Sequence, residues 1–239
     1  MIKEEAFKVL TEEYILKQAI SKQELQEVKN IRAEAYQPIY HLPYKELDAK
    51  GYLFNAYDNQ AFNYLLQHKE TGQYIGTVRN FFVNDKTPIQ YMPMQKDGHV
   101  EGIEHLTRNM PICEISRMAL SNNLPPYKDF SELKLRHYLS LGLMIATRIN
   151  AFLYPYQMIF AIMEPSLDRL LKRQYAFFEQ IGDAVDYYGM RIPFAIKRDK
   201  LIYDTESNVG QITRHYLKAL CQDPEPFWQF IDANPYLDR

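Results

Sequence analysis

The stretch Cys113-Glu114-Ile115-Ser116-Arg117-Met118-Ala119-Leu120 sets a carboxylate, a hydroxyl and a guanidinium within four residues of an otherwise apolar run. Pro111 opens the run and Ser121-Asn122-Asn123 closes it, so it reads as a buried strand. Charges placed there need hydrogen bonds or counter-charges, and such groups are often functional. Strict alternation puts Glu114, Ser116, Met118 and Leu120 on one face and Ile115 and Arg117 on the other. Glu114 is then a candidate general base and Ser116 a neighbouring hydrogen bonder. Arg117 becomes mainly structural, paired with Asp58 or another acid, unless a bulge brings all three together. From the residues alone a blander reading stays open, in which Glu114 and Arg117 only pair with buried partners and hold a sheet. Cys113 has no histidine spaced to activate it and reads as a small core residue. The six histidines show neither H-x-x-x-H nor H-E-x-x-H spacing, so no metal is expected.

The chain that must position these groups has 239 residues, 46% of them hydrophobic, enough for a sizeable core. Its net charge of -2 gives no global basic field for nucleic acid. The two cysteines, Cys113 and Cys221, form neither a disulfide framework nor a zinc pattern, which suits a reducing cytoplasm. No signal peptide is expected from the charged start Met1-Ile2-Lys3-Glu4-Glu5. The longest apolar stretch, residues 139–153, contains Arg148 and Asn150 and falls short of the roughly 20 apolar residues a bilayer span takes. With 19 Tyr and 13 Phe, the chain has either ordinary core and surface aromatics or an aromatic-lined pocket for an apolar ligand.

Ser21-Lys22-Gln23-Glu24 is a capping box that predicts a helix over 22–36. Leu25, Val28, Ile31, Ala35 and Tyr36 share one arc of that helix, and Arg32 lies inside it, needing a partner unless it snorkels at the edge. Residues 37–58 read as a long irregular loop. Strands follow at 62–68 and 73–82 around Glu70-Thr71-Gly72, with Asp58 before the first and Arg79 in the second. After another long connection, 84–111, with room for a short helix, comes the Glu114 strand. A helix over 132–152 with Ser131 as N-cap is apolar nearly all round in its second half and therefore buried. A short strand at 157–163, a helix over 167–180 capped by Ser166 with Gly182 past its end, one or two strands over 186–200 and a helix over 211–221 complete the pattern. A Pro- and aromatic-rich tail, 224–236, follows. This order predicts an α/β (α+β) fold with a mixed sheet flanked by helices. The Glu114 strand, the buried helix and the 157–163 strand form a parallel crossover, expected to be right-handed. Residues 1–200 are expected to form the main domain and 201–239 a helical appendage on it.

Four motifs carry a resemblance. The first is the arginine-bearing helix with Val28, Ile31 and Arg32. The second is Tyr57-Asp58 before a strand, then Gly72 and Ile75-Gly76-Thr77-Val78-Arg79. The third is Glu114-Ile115-Ser116-Arg117 with its apolar continuation. The fourth is Met163-Glu164-Pro165-Ser166-Leu167-Asp168-Arg169-Leu170-Leu171, with Gly182 and Tyr188-Gly189-Met190-Arg191-Ile192-Pro193 beyond it. Together they resemble the GNAT-fold acyltransferases, within the branch of acyl-homoserine-lactone (autoinducer) synthases, N-acyl amino acid synthases and exosortase-associated acyltransferases.

The resemblance implies a cytoplasmic N-acyltransferase with a GNAT-like mixed central sheet, splayed at its central strands to admit the acyl donor. It would move a medium or long acyl chain to the amine of an amino acid or similar small acceptor. Glu114, Ser116 and Arg117 would be the catalytic set. Arg32, Asp58 and Arg79 would join Arg117 in an inward polar network lining the acceptor pocket, where a guanidinium could bind a carboxylate. Acetyl-CoA-using members carry a glycine-containing loop whose N–H groups cradle pyrophosphate. Here the corresponding Ser121-Asn122-Asn123-Leu124-Pro125-Pro126-Tyr127-Lys128-Asp129-Phe130 has no glycine, and its two prolines remove donors. The implied donor is therefore acyl-acyl carrier protein, a phosphopantetheine thioester, with no bound cofactor. Lys128, Lys134, Arg136, Arg169, Lys172 and Arg173 would suit the acidic carrier protein, or would simply be a solvated face. The rival expectations are an autoinducer synthase using S-adenosylmethionine, a non-catalytic acyl-binding module, and an acetyl-CoA transferase.

Overall fold

A computed structural model describes residues 4–37, 48, 50–107, 110–154, 156–172, 178–187, 189–202 and 208–220. The strands are β1 (Tyr14–Gln18), β2 (Ala61–His68), β3 (Tyr74–Val83), β4 (Ile112–Leu120), β5 (Met158–Met163), β6 (Glu179–Gln180), β7 (Val185–Asp186) and β8 (Met190–Lys197). They form one sheet in the order β1-β2-β3-β4-β5-β8-β6, with β7 paired to β8. The helices are α1 (Glu4–Lys8), α2 (Lys22–Tyr36), α3 (Pro93–Lys96), α4 (Glu104–Thr107), α5 (Glu132–Leu153), α6 (Pro165–Lys172), α7 (Arg198–Ile202) and α8 (Asn208–Leu220). This is a mixed α+β fold with a mostly antiparallel open sheet flanked by helices, in keeping with the GNAT-like expectation. None of the described helices is long and apolar enough to cross a membrane.

Local chemistry sets the two helices that matter most. Ser21 Oγ accepts the Glu24 N–H at 3.1 Å and Glu24 returns to the Ser21 N–H at 2.9 Å, closing the capping box that starts α2. Ser131 Oγ accepts the Lys134 N–H and starts α5, as its sequence implies. α5 buries Leu139, Leu143, Ile145, Ala146 and Ile149 against one face of the sheet, with Val78, Cys113, Ile115 and Ile159. At Gly142 a Cβ would stand 2.9 Å from a Leu10 methyl, so a larger residue here would make the Leu10 side chain shift. On the opposite face α2 packs Val28 and Ile31 on Leu65 and Ala119. α3 and α4 fill the rest of that face around Phe81, Met94, Ile103 and Phe160.

Some boundaries differ from the sequence expectation. β1 and the helical turns before it carry no strong local signal; β1 is a strand because β2 pairs with it along Tyr14↔His68 to Gln18↔Tyr64. The helix expected at 167–180 begins at Pro165, whose fixed φ suits a first helical position, and Glu179–Gln180 is a short strand on β8. Gly182 therefore follows a strand, not a helix. The 84–111 connection holds two short helices, α3 and α4, where the sequence left room for one. Cys221, Arg173, Tyr188 and the tail lie outside the described residues.

β4 and β5 are parallel neighbours, joined by α5. Their pairing runs from Ile112↔Met158 to Ile115↔Ala161 and stops there, although β4 continues to Leu120 and β5 to Met163. The sheet is thus splayed at its centre, as expected.

Candidate active site

The splay opens a cleft of about 280 Å³. Ile115, Met118, Met144, Ala161, Met163, Leu167, Leu171 and Phe178 supply apolar wall from β4, α5, β5, α6 and the segment after it. Ser116, Arg117, Tyr36, Glu164 and Arg191 supply its polar groups, and Arg191 pairs with Glu164 at 3.0 Å. A volume near the low end of ordinary ligand pockets, roughly 300–1,000 Å³, fits a slender apolar chain better than a bulky polar ligand.

The strand expectation fails at one place, and the failure reshapes the site. β3 pairs Arg79↔Ser116 and then Thr77↔Ala119, so β4 has one residue more than β3 between those pairs. Arg117 adopts φ +55°, the left-handed region that a bulge demands and most side chains avoid. Beyond the bulge the faces exchange. Ala119, not Met118 and Leu120, joins Glu114 and Ser116 on the α2 side. Met118 and Leu120 pack with the α5 core instead. Arg117 does not turn its charge away: it lines the cleft beside Ser116, close enough to affect the ionisation of both Glu114 and Arg32. The unbroken alternation that put Arg117 on the opposite face is corrected accordingly.

Arg32, Asp58 and Arg79 are brought together, and all three are buried. Arg32 Nη1 donates to Asp58 Oδ1 at 2.7 Å and Nη2 to Asn63 Oδ1 at 2.6 Å. Arg79 Nη1 donates to Asp58 Oδ2 at 3.2 Å and Nε to Ser116 Oγ at 3.0 Å. Burial pushes the Asp58 carboxyl up, but the two guanidiniums outweigh it and hold Asp58 below its ordinary range. The network supports Ser116 from behind; its own members do not line the cleft. Arg32 finds the partner its place on the helix required.

Glu114 is fully buried one alternation before Ser116, among Phe81, Met94 and Phe160. Its Oε2 accepts the Met94 N–H at 2.8 Å. Burial raises its pKa to about 7, against the opposing pull of the Met94 N–H, Arg79 and Arg117. A carboxyl poised there can exchange a proton near neutral pH. Cys113 faces the α5 core, and burial pushes its thiol well up, which fits an inert packing residue.

The basic patch is less free than its sequence suggests. Lys134 pairs with Glu5 at 2.8 Å, Arg136 with Glu132 at 2.8 Å and Lys172 with Asp168 at 2.7 Å. Lys128 and Arg169 are exposed, and Lys128 stands 4.7 Å over the Tyr127 ring. Sequence reasoning did not assign Tyr36, Met144, Leu167 and Leu171 to the cleft. Tyr36 was findable, because it follows Arg32 by one helical turn on the same arc; its hydroxyl donates to the Met118 carbonyl at 2.5 Å.

A family model described as autoinducer synthase matches residues 17–192. Solved structures that share the fold include the following three. FeeM, an N-acyl amino acid synthase from uncultured soil microbes, is 15% identical with a TM-score of 0.57, covering 79% of this chain and 92% of its own. The AHL synthase LasI is 16% identical with a TM-score of 0.58, covering 77% and 90%. BjaI, a CoA-dependent acyl-homoserine lactone synthase solved with SAM and isopentyl-CoA, is 15% identical with a TM-score of 0.52, covering 86% and 89%. No curated protein matches the chain.

Proposed function

Because the chain belongs to the autoinducer synthase family and is an acyltransferase, we propose that it moves a medium or long acyl chain from acyl carrier protein to the amine of an amino acid or similar small acceptor. One observation carries the proposal: the β4–β5 splay makes a cleft with an apolar wall on the α5–α6 side and Ser116 and Arg117 on its polar side; Glu114, two residues before Ser116 on the same strand, is buried behind that lining. An acyl chain lies along Met144, Leu167 and Leu171, and its thioester carbonyl reaches the polar end.

Amide formation then needs a neutral amine, a held thioester and donors for the developing oxyanion. Glu114 takes the ammonium proton, directly or through water, since its carboxyl titrates near neutrality. The amine attacks the carbonyl carbon, the C–S bond breaks and pantetheine leaves as its thiol. Ser116 accepts from Arg79 Nε and so keeps its hydroxyl proton for a substrate oxygen. Arg117 lies beside Ser116 in the cleft, and its guanidinium suits an acceptor carboxylate. Lys128, Lys134, Arg136, Arg169, Lys172 and Arg173 are the proposed carrier-protein face, with Arg173 outside the described residues.

Mass spectrometry of lipids from cells overexpressing the protein tests the proposal. New N-acyl amino acids support it, and their absence from wild-type extracts, with carrier protein present, defeats it. The family assignment also favours a second reading, an acyl-homoserine-lactone synthase acting on S-adenosylmethionine. Acyl-homoserine lactone in the same extracts decides for that one.

A further inference from the structure

Just past the cleft-lining residue Met118, β4 ends and a cluster of donors converges on a single carboxylate. The Asn122 N–H donates to Glu34 Oε1 at 2.8 Å, and Asn123 Nδ2 donates to the same oxygen at 3.1 Å. Ser121 Oγ donates to Glu34 Oε2 at 2.9 Å, and Asn122 Nδ2 to the Glu34 carbonyl at 3.2 Å. Glu34 comes from α2, 88 residues earlier in the chain than Asn122. A backbone N–H, a hydroxyl and a carboxamide thus converge on one point, as donors to an anion would, and the protein fills that point with its own carboxylate. The other anion-binding device of a strand-to-helix connection is the helix N-terminus. It too is occupied: Ser131 caps α5, and the carboxylate of Glu132 sits in its first turn, held by Arg136 at 2.8 Å.

We propose that Glu34 discriminates between acyl donors: its carboxylate holds the place that a pyrophosphate would take beside the cleft, and so excludes CoA. The proposal rests on the acyl-transfer reading of the cleft. Coenzyme A carries a pyrophosphate that needs such N–H groups, whereas phosphopantetheine on a carrier protein has one phosphodiester and draws its remaining affinity from the carrier's own surface. A second anion brought against Glu34 would meet like charge with the local donors already used.

Isothermal titration of the full chain with free CoA tests this without any turnover. The wild type, Glu34→Gln, Glu34→Ala and a control, Asp129→Asn in the same connection, are compared. CoA should bind about tenfold tighter to both Glu34 variants and unchanged to Asp129→Asn. Equal affinity in all four proteins, or equal tightening in the control, overturns the proposal. If Glu34 only fastened α2 to the loop, its loss would lower thermal stability and leave CoA binding unimproved, which also overturns it. Assays of the wild type with acyl-carrier protein and with acyl-CoA run alongside. Transfer from neither defeats the acyl-transfer reading, while the CoA titration still judges Glu34 by itself.

Discussion

Arg79 and Ser116 face each other across β3 and β4, and Arg79 Nε donates to Ser116 Oγ at 3.0 Å. The same guanidinium reaches Asp58, and Asp58 holds Arg32 of α2 at 2.7 Å. The hydroxyl at the edge of the cleft is therefore the end of a buried chain of charge-assisted bonds that begins on a helix. Such bonds are short and directional, so Ser116 has little freedom to leave the position the substrate needs.

Ser116→Ala should lower kcat/KM by about 10- to 100-fold, because it removes a donor from the reacting end of the cleft, and should cost only about 1–3 kcal/mol of stability by leaving Arg79 Nε without its acceptor. Steady-state kinetics with thermal melts will check it. That loss of stability with an unchanged rate would assign Ser116 to packing instead.

Glu114 predicts a pH dependence of rate. Its base form grows as pH rises through about 7, so kcat/KM should climb along a limb centred there. Glu114→Gln should flatten that limb and cost about 100-fold in kcat. A limb that persists in the variant would belong to another group.

The same shift predicts a stability change with a definite sign. The folded carboxyl binds its proton up to about pH 7, whereas an unfolded glutamate releases it near 4.5. The folded state thus holds more protons between those values, and stability falls as pH rises from 4.5 to 7, by about 3 kcal/mol in all. Denaturant titrations of wild type and Glu114→Gln across that range will show it; the variant should lack this component.

Asp58→Asn leaves Arg32 and Arg79 buried without their counter-charge and should destabilise the fold by about 3–5 kcal/mol. Adding Arg32→Met should restore part of that loss, since it removes one of the stranded charges. Urea unfolding of the single and double variants measures the coupling, and simple additivity would refute the network.

Met144, Leu167 and Leu171 line both the main cleft and a narrow neighbouring cavity that His137, Ser140, Leu141 and Leu170 complete. They form the wall between the two spaces. Met144→Ala or Leu171→Ala should join them and shift the products toward longer acyl chains, at a stability cost of about 2–5 kcal/mol. Product chain lengths by mass spectrometry decide; an unchanged distribution places the chain elsewhere.

Much of this protein is written in local patterns. The capping box of α2, the apolar length of α5 and the charges set in β4 follow from nearest-neighbour chemistry, and so these elements were legible, whereas Asp58 and Arg79 were singled out only through the family resemblance. Arg32 was legible even as a group in need of a partner, because it lies within an apolar arc. Its partners were not identified by that local rule, since they come from segments 26 and 31 residues away.

Three things required the tertiary structure. The bulge at Arg117 is a property of two paired strands: alternation along β4 alone assumes an unbroken ladder, and one extra residue exchanges every face beyond it. The cleft exists because β4 and β5 part after Ile115↔Ala161, and no single strand records where its neighbour leaves. The Glu34 contacts join α2 to a loop far along the chain, so an ordinary glutamate in a helical pattern gathers donors from Ser121 and Asn122. Local sequence determined which groups are available and which elements carry them. Only long-range packing decided which of them meet, because meeting depends on register, splay and helix placement that no local period contains.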